Sequence, residues 1–465
     1  MKIINLLFAI VFSVTIVLSQ NTATTTQTGD KQIASTTQSG SLNSAEIDQL
    51  QSGTAANNPS FMNKATVIQT GNSNAASVDQ KEVGGGNKGN NTAFIQQVGD
   101  NNNGVQYGNA ANYNNGQSIK AVQLGDLNEV SQSIFAGYTE SLTVNQTGNK
   151  NEAVQEARGG GNNHANINQF GNQNQAKQEV IGNNNGYSFA DVLIEQDGDL
   201  NIAAQKFTGN GQSHKNNGGI FQNGSSNKAY QEGAGRDLDI RLWQNGELNV
   251  SNQYSTGNTN TSWLSQNGDE NTSEIIQNGD DNFTKLKQNG TGGNVGILQE
   301  GNNNTIAGID TPDSWGNVFN LETSQLGEFN NLFINSAGTV TVMQDNTAAA
   351  AMVGNEIIYS QSGVGITNLS QVGDENMISL LHGGNGNVDI NQLGNSNKVG
   401  SFVDVFAADP VLNGDGIGGF NGQKLEVDQI GENNLLHINS TGYSDMVKVM
   451  QKGNNNRASV TQSAL

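Results

Sequence analysis

The sequence predicts an all-β, two-sided parallel β-solenoid with coils of about 22 residues, and three observations predict it. The first is a recurring phrase. Gln-x-Gly appears more than twenty times between Gln27 and Gln451, and in 17 copies Asn stands five places after the Gln. The second is spacing: Gln27 to Gln38, the run Gln266, Gln277, Gln288 and Gln299, and Gln451 to Gln462 step by 11. Elsewhere the step is about twice that, as from Gln244 to Gln266, so 11 residues read as half a coil of one strand and one turn. The third is alternation. Asn43, Ala45, Ile47 and Gln49 lie two apart and share one side of an extended strand, whereas Ser44, Glu46 and Asp48 share the other. The same split recurs at Asn74, Ala76, Val78 and Gln80 and at Asn456, Ala458, Val460 and Gln462.

The elements follow in chain order. Met1-Lys2 precedes an apolar run from Ile3 to Leu18, with Val17 and Ser19 placed for signal-peptidase cleavage, so residues 1–19 read as a signal peptide and the chain as secreted. No later run approaches ~18 apolar residues, so no integral membrane segment is expected after signal removal. Residues 20–26 form a Thr-rich leader. Residues 27–305 form the main repeat array, with an insertion near Thr54 to Phe61 and Gly/Asn loops at Gly84–Asn90, Gly159–Asn163, Gly182–Tyr187 and Gly209–Gly219. Residues 306–465 continue the repeats less regularly, with interruptions at Ile306–Asn320, Thr339–Ile358 and Gly400–Gly422. The 446 residues after the signal, at about 22 per coil, give about 20 coils and a rod near ~95 Å at ~4.8 Å per coil.

The inward amides define the candidate site. They are Gln38, Asn43, Gln49, Gln69, Asn74, Gln80, Gln146, Asn151, Gln169, Asn174, Gln196, Asn201, Gln266, Asn271, Gln277, Asn282, Gln451, Asn456 and Gln462. A buried amide without partners is costly. In a parallel stack each meets its equivalent about 4.8 Å above and below, and the side chains form ladders beside those of the backbone. The reversal between strands falls on Gly40, Gly71, Gly148, Gly171, Gly268, Gly279 and Gly453, where glycine supplies the backbone freedom of a tight turn.

Composition limits the alternatives. Hydrophobic residues make up 34% of the chain beside 59 Gly, too little for a large oily core. The regular inward placement of Ala, Val, Ile and Leu argues against disorder of the repeats. Three Pro suit a backbone whose donors must pair, and zero Cys removes disulfides, thiolate metal sites and cysteine nucleophiles. A net charge of −21 disfavours nucleic acid and anionic lipid as partners. Much of the acid follows the turn glycine, at Asp30, Asp100, Asp126, Asp199, Asp269, Asp280 and Asp374. Stacked like charges there repel by roughly 0.9 kcal/mol per pair before screening, which would keep an exported chain soluble; an ordinary solvated face explains them equally.

The phrase Gln-x-Gly-x-x-Asn-x-Ala-x-x-x-Gln resembles the curlin repeat of bacterial curli subunits. Asn43-Ser44-Ala45 with Gln49, Asn74-Ala75-Ala76 with Gln80, and Asn456-Arg457-Ala458 with Gln462 carry the match. The resemblance implies a secreted structural subunit of extracellular functional amyloid that self-assembles by end-to-end stacking, for biofilm matrix and adhesion. It implies partners too: further copies of the chain in a homopolymer fibre, a nucleator subunit, and a curli-type outer-membrane export pore with its chaperones. By match it gives Gln38, Asn43, Gln49, Gln69, Asn74, Gln80, Gln451, Asn456 and Gln462 a role in fibre assembly. The chain is several times longer than a typical curlin subunit, and Val130, Ser273, Thr284 and Ile378 stand where the pattern has Ala.

Chemistry has little to stand on. His164, His214, His382 and His437 share no ligand spacing, and the carboxylates fall mainly at turns. Asn413-Gly414-Asp415-Gly416-Ile417-Gly418 lacks the alternating ligands and closing Glu of a calcium loop. No catalytic residue, cofactor or metal is expected. Outward Trp243 and Trp263 suit carbohydrate binding or lateral packing. The competing reading is a soluble monomeric solenoid, an adhesin or an ice- or glycan-binding surface protein; mixed, charged outward positions such as Glu46, Asp48 and Asp79 count against ice.

Overall fold

The computed structural model describes residues 20–29, 32–51, 63–83, 91–111, 116–135, 140–159, 162–182, 189–209, 215–307, 316–318, 320–334, 339–347, 353–361, 366–382, 387–400, 424–440 and 447–462. The expected signal peptide, Asp30, His214, the 413–418 segment and most of the inserted loops lie outside them.

Among the described residues every regular element is a strand, and every pairing is parallel. Apart from Thr305–Ala307 and Gly316–Val318, which both pair with Phe283–Asn289 of the second sheet, strands run alternately into two sheets: Thr22–Thr28 opens the first and Ile33–Ser39 the second. Ser44–Gln51 returns to the first with Thr22 beside Ser44 and Gln27 beside Gln49, and Lys64–Thr70 returns to the second with Gln38 beside Gln69. The first sheet has 18 strands, against the coil number of about 20 expected from length, because inserted loops consume residues without adding coils. The second sheet is an open ladder from Ile33–Ser39 to Arg457–Gln462; among the described residues no pairing joins its ends into a barrel. No described helix is long and apolar enough to cross a membrane.

Period-two burial holds as read. Ser44–Gln51 alternates exposed and buried until its end, with Ala45 and Ile47 inward. The core is a thin double row of small and branched side chains, as with Ala65 and Val67 of one second-sheet strand, both fully buried. Phe207 is the largest buried side chain, and two glycines give it room: a Cβ at Gly218 would lie 2.3 Å from its ring and one at Gly233 2.8 Å. Filling either position would overpack the core. The 339–358 stretch, read as irregular, holds Thr339–Asp345 and the start of Glu356–Gln361, which pair in the first and second sheets.

The long connections change edges along the molecule. Up to residue 214 they follow first-sheet strands, as between Gln51 and Lys64, while second-sheet strands end in tight glycine turns. Most of those beyond residue 307 follow second-sheet strands, as between Gly400 and Leu425. Between Lys215 and Thr305 both edges are tight and only two to four residues join successive strands.

Candidate functional site: amide ladders and open ends

Inward glutamines of adjacent coils are joined side chain to side chain. In the second sheet Gln38 Nε2 donates to Gln69 Oε1 at 2.8 Å, Gln69 to Gln97 at 2.9 Å, and the column runs unbroken through Gln146, Gln169, Gln196 and Gln266 to Gln288. The second amide proton is used as well: Gln69 Nε2 also donates to the Ser44 carbonyl of the facing sheet at 3.0 Å. These bonds answer the desolvation cost that inward amides would otherwise carry.

The first sheet carries a ladder in three segments. Gln27, Gln49 and Gln80 form the first. At the next coil Gly108 stands beside Gln80, and the ladder steps two residues upstream to Gln106, beside Val78. It continues through Gln132, Gln155, Gln178, Gln205 and Gln231 to Gln253. The step is reversed at Gln277, which lies beside Ser255, and that column runs through Gln299 and Gln325 to Gln451. Most members of the middle segment have no Gly two places on, so the repeat phrase misses them. Gln462 ends the last second-sheet strand, beside Ser440, and its side chain lies outside the described residues.

The asparagines bind the turns. Asn43 Nδ2 donates to the carbonyl of Gly71 in the next coil at 2.8 Å, and its Oδ1 accepts the backbone N–H of Asn74 at 3.0 Å. Asn151, Asn174, Asn201 and Asn271 continue this on the same edge. Asn282 and Asn456 do so on the opposite edge, in the row from Asn260 to Asn456. The expected site residues thus fall into two sheets and two edges rather than one line.

Each tight turn has two left-handed residues, of which the sequence pattern marks only the glycine. Gly40 has φ +109°, and Leu42, just before Asn43, has φ +59°. A Cβ on Gly40 would lie 1.9 Å from the Gly71 carbonyl oxygen, so stacking forbids a side chain there independently of φ. The residue after the glycine has a bonding role. Asp100 Oδ1 accepts the Asn72 backbone N–H at 2.6 Å, and Asp126 Oδ1 accepts that of Asp100 at 2.7 Å. Asp199, Asp269, Asp280 and the buried Asp374 do likewise. The turn acids are therefore staples between coils as well as surface charge.

One carboxyl breaks the amide rule. Glu140 is fully buried in the edge column between Gln117 and Asn163, receives one bond from Asn163 Nδ2 at 3.3 Å, and is pushed up to about 8 by burial. Burial also raises Glu356, and it raises Asp389 with help from Asp428 and Glu426 nearby. Among the described residues no group of three or more His, Asp or Glu is arranged to hold a metal ion.

Both described ends present open strand edges. Thr22–Thr28 is exposed along its whole length, and Val449, Ala458 and Val460 in the last coil are only partly buried against the core. No family model and no curated protein matches the chain.

Proposed function

We propose that the chain is a secreted structural subunit of an extracellular, curli-like amyloid fibre, extended by stacking the last coil of one copy on the first coil of the next. One observation carries this reading. Gln27 and Gln451 occupy the same column of the same sheet, and every rung between Gln glutamines donates from the earlier coil to the later one. The first coil therefore offers the Gln27 acceptor and the last coil the Gln451 donor, a heterologous, non-closing match that generates filaments. Export by a curli-type pore with chaperones, nucleation by a second subunit, and service in biofilm matrix and adhesion complete the proposal on the strength of the repeat. The fibre needs no enzyme activity.

The test is seeded growth of protein lacking residues 1–19, followed by thioflavin fluorescence, electron microscopy and fibre diffraction. Wild-type protein should show a lag removed by seeds and a ~4.8 Å meridional reflection. Gln451→Ala should slow elongation while leaving the circular dichroism of the monomer unchanged. A β-rich monomer that stays unresponsive to seeds at high concentration would refute the fibre. A polar groove of about 520 Å³ on one edge, with Glu356, Glu375, Lys398 and Arg457 in its lining, keeps a glycan-binding solenoid as the second reading.

A further inference from the structure

The coils between Lys215 and Thr305 differ from the rest in three ways that coincide. First, only two to four residues join their successive strands on both edges. Second, both faces carry aromatic rows there. On the second sheet Phe221 and Trp243 lie nearly parallel with centroids 5.6 Å apart, and Trp263 meets Trp243 edge-on at 6.4 Å. On the first sheet Tyr230 and Tyr254 pack at 5.5 Å. Third, the two faces differ in charge. The second-sheet face holds Arg241, paired with Asp239 at 2.7 Å, and Lys285 and Lys287, a basic balance in a chain of net charge −21, with Arg241 and Lys285 at 4.9 and 5.0 Å from the Trp263 ring. The first-sheet face at these levels holds exposed Glu274 and Glu300 and half-buried Glu232, kept below the usual carboxylate range by bonds from Tyr230 and Lys206, against exposed Lys228 and Arg236, so its balance is slightly acidic.

We propose that these coils are a lateral docking zone, in which the second-sheet face of one copy packs on the first-sheet face of a second copy at the same level. Half-buried tryptophan and arginine on one side and half-buried tyrosine on the other match the composition of interface anchors. Opposite net charge favours this pairing of faces, because two second-sheet faces would set Lys285 and Lys287 against their own copies. Stacked sheets approach to about 10 Å, and in this segment the strands are joined by only two to four residues on both edges. Four coils of seven-residue strands cover about 19 by 23 Å, or roughly 440 Å² per partner, at the low end for a specific pair. Single chains would then pair weakly, and copies held in register along a rod would pair firmly through repeated contacts. The inference concerns the side faces and does not depend on growth at the ends.

The experiment mixes isotopically light and heavy full-length chains, at low salt, before and after seeding, and treats them with a carbodiimide that joins amine to carboxylate without a spacer. Light–heavy links from Lys285 or Lys287 to Glu274 or Glu232 are expected. Lys285→Glu/Lys287→Glu should reduce them roughly tenfold or more, and pairing that variant with Glu274→Lys chains should restore linkage. Mixed links that are absent, confined to terminal coils, or indifferent to the charge reversal would overturn the proposal. So would a patch that retains the acidic polysaccharide alginate through these residues while giving no mixed link. Failure of seeded growth with the links intact would refute only the fibre.

Discussion

Glu140→Gln should strengthen its own coil near neutral pH and do nothing in acid. The side chain is fully buried, and its pKa stands at about 8 against 4.5 for an ordinary glutamate, with desolvation as the main cause. A folded-state value above the unfolded one means that the folded chain holds the extra proton. The coil is therefore most stable below pH 4.5 and loses stability as pH rises toward 8, beyond which the loss is complete. At about 1.4 kcal/mol for each pH unit above the ordinary value, the cost at pH 7 is about 3 kcal/mol. Glutamine fits, since Gln117 fills the same column one coil earlier, and a neutral amide can still accept from Asn163. A long solenoid unfolds locally as well as globally, so the readout is hydrogen exchange in Ser118–Leu124, Ser141–Thr147 and Asn162–Phe170, with Thr272–Asn278 as internal reference. Wild-type protection in those strands should fall relative to the reference between pH 5 and pH 8, and the variant's should not. Parallel profiles for the two proteins would refute the reasoning.

Other outcomes follow from the same geometry. Gly71→Ala places a Cβ 2.0 Å from the Gly99 carbonyl oxygen at φ +119° and should cost about 3 kcal/mol or more, read as lost thermal stability. Gln146→Ala leaves Gln123 without its acceptor and Gln169 without its donor, so denaturation should report a loss of about 2–4 kcal/mol, whereas outward Thr143→Ala should stay within about 0.5 kcal/mol. Asp100→Asn keeps an acceptor for the Asn72 N–H while removing a charge beside Asp126, so it should be neutral or slightly stabilising; Asp100→Ala should cost about 1 kcal/mol.

Much of the architecture is legible because it is repeated. Asn43, Ala45, Ile47 and Gln49 disclose the inward face, and Gly40 the turn, since each obeys a constraint that recurs in coil after coil. The left-handed residue before each Asn leaves no trace. Its side chain points outward, and a φ near +57° is open to many residues at modest cost, so Leu42, Ser73, Lys150 and Glu270 all serve. Glu140 is invisible for another reason: it follows a long connection, where no Gln-x-Gly precedes it to mark the column.

The step of 11 from Gln266 to Gln299 has a structural cause that spacing alone does not reveal. Before it, the phrase lies chiefly on second-sheet strands, and the long connections leave the first sheet. Beyond it, the phrase lies chiefly on first-sheet strands, Gln361 being an exception, and most long connections leave the second. Most tight turns take their glycine and their amide rung from the strand that enters them, although Val250–Asn258 enters its turn with Ser255 in the rung position, whereas a long connection imposes neither. The phrase changes sheets where both edges are tight, and from Gln266 to Gln299 every strand carries it. The dense run is that overlap, the stretch in which both edges of the stack close in tight turns.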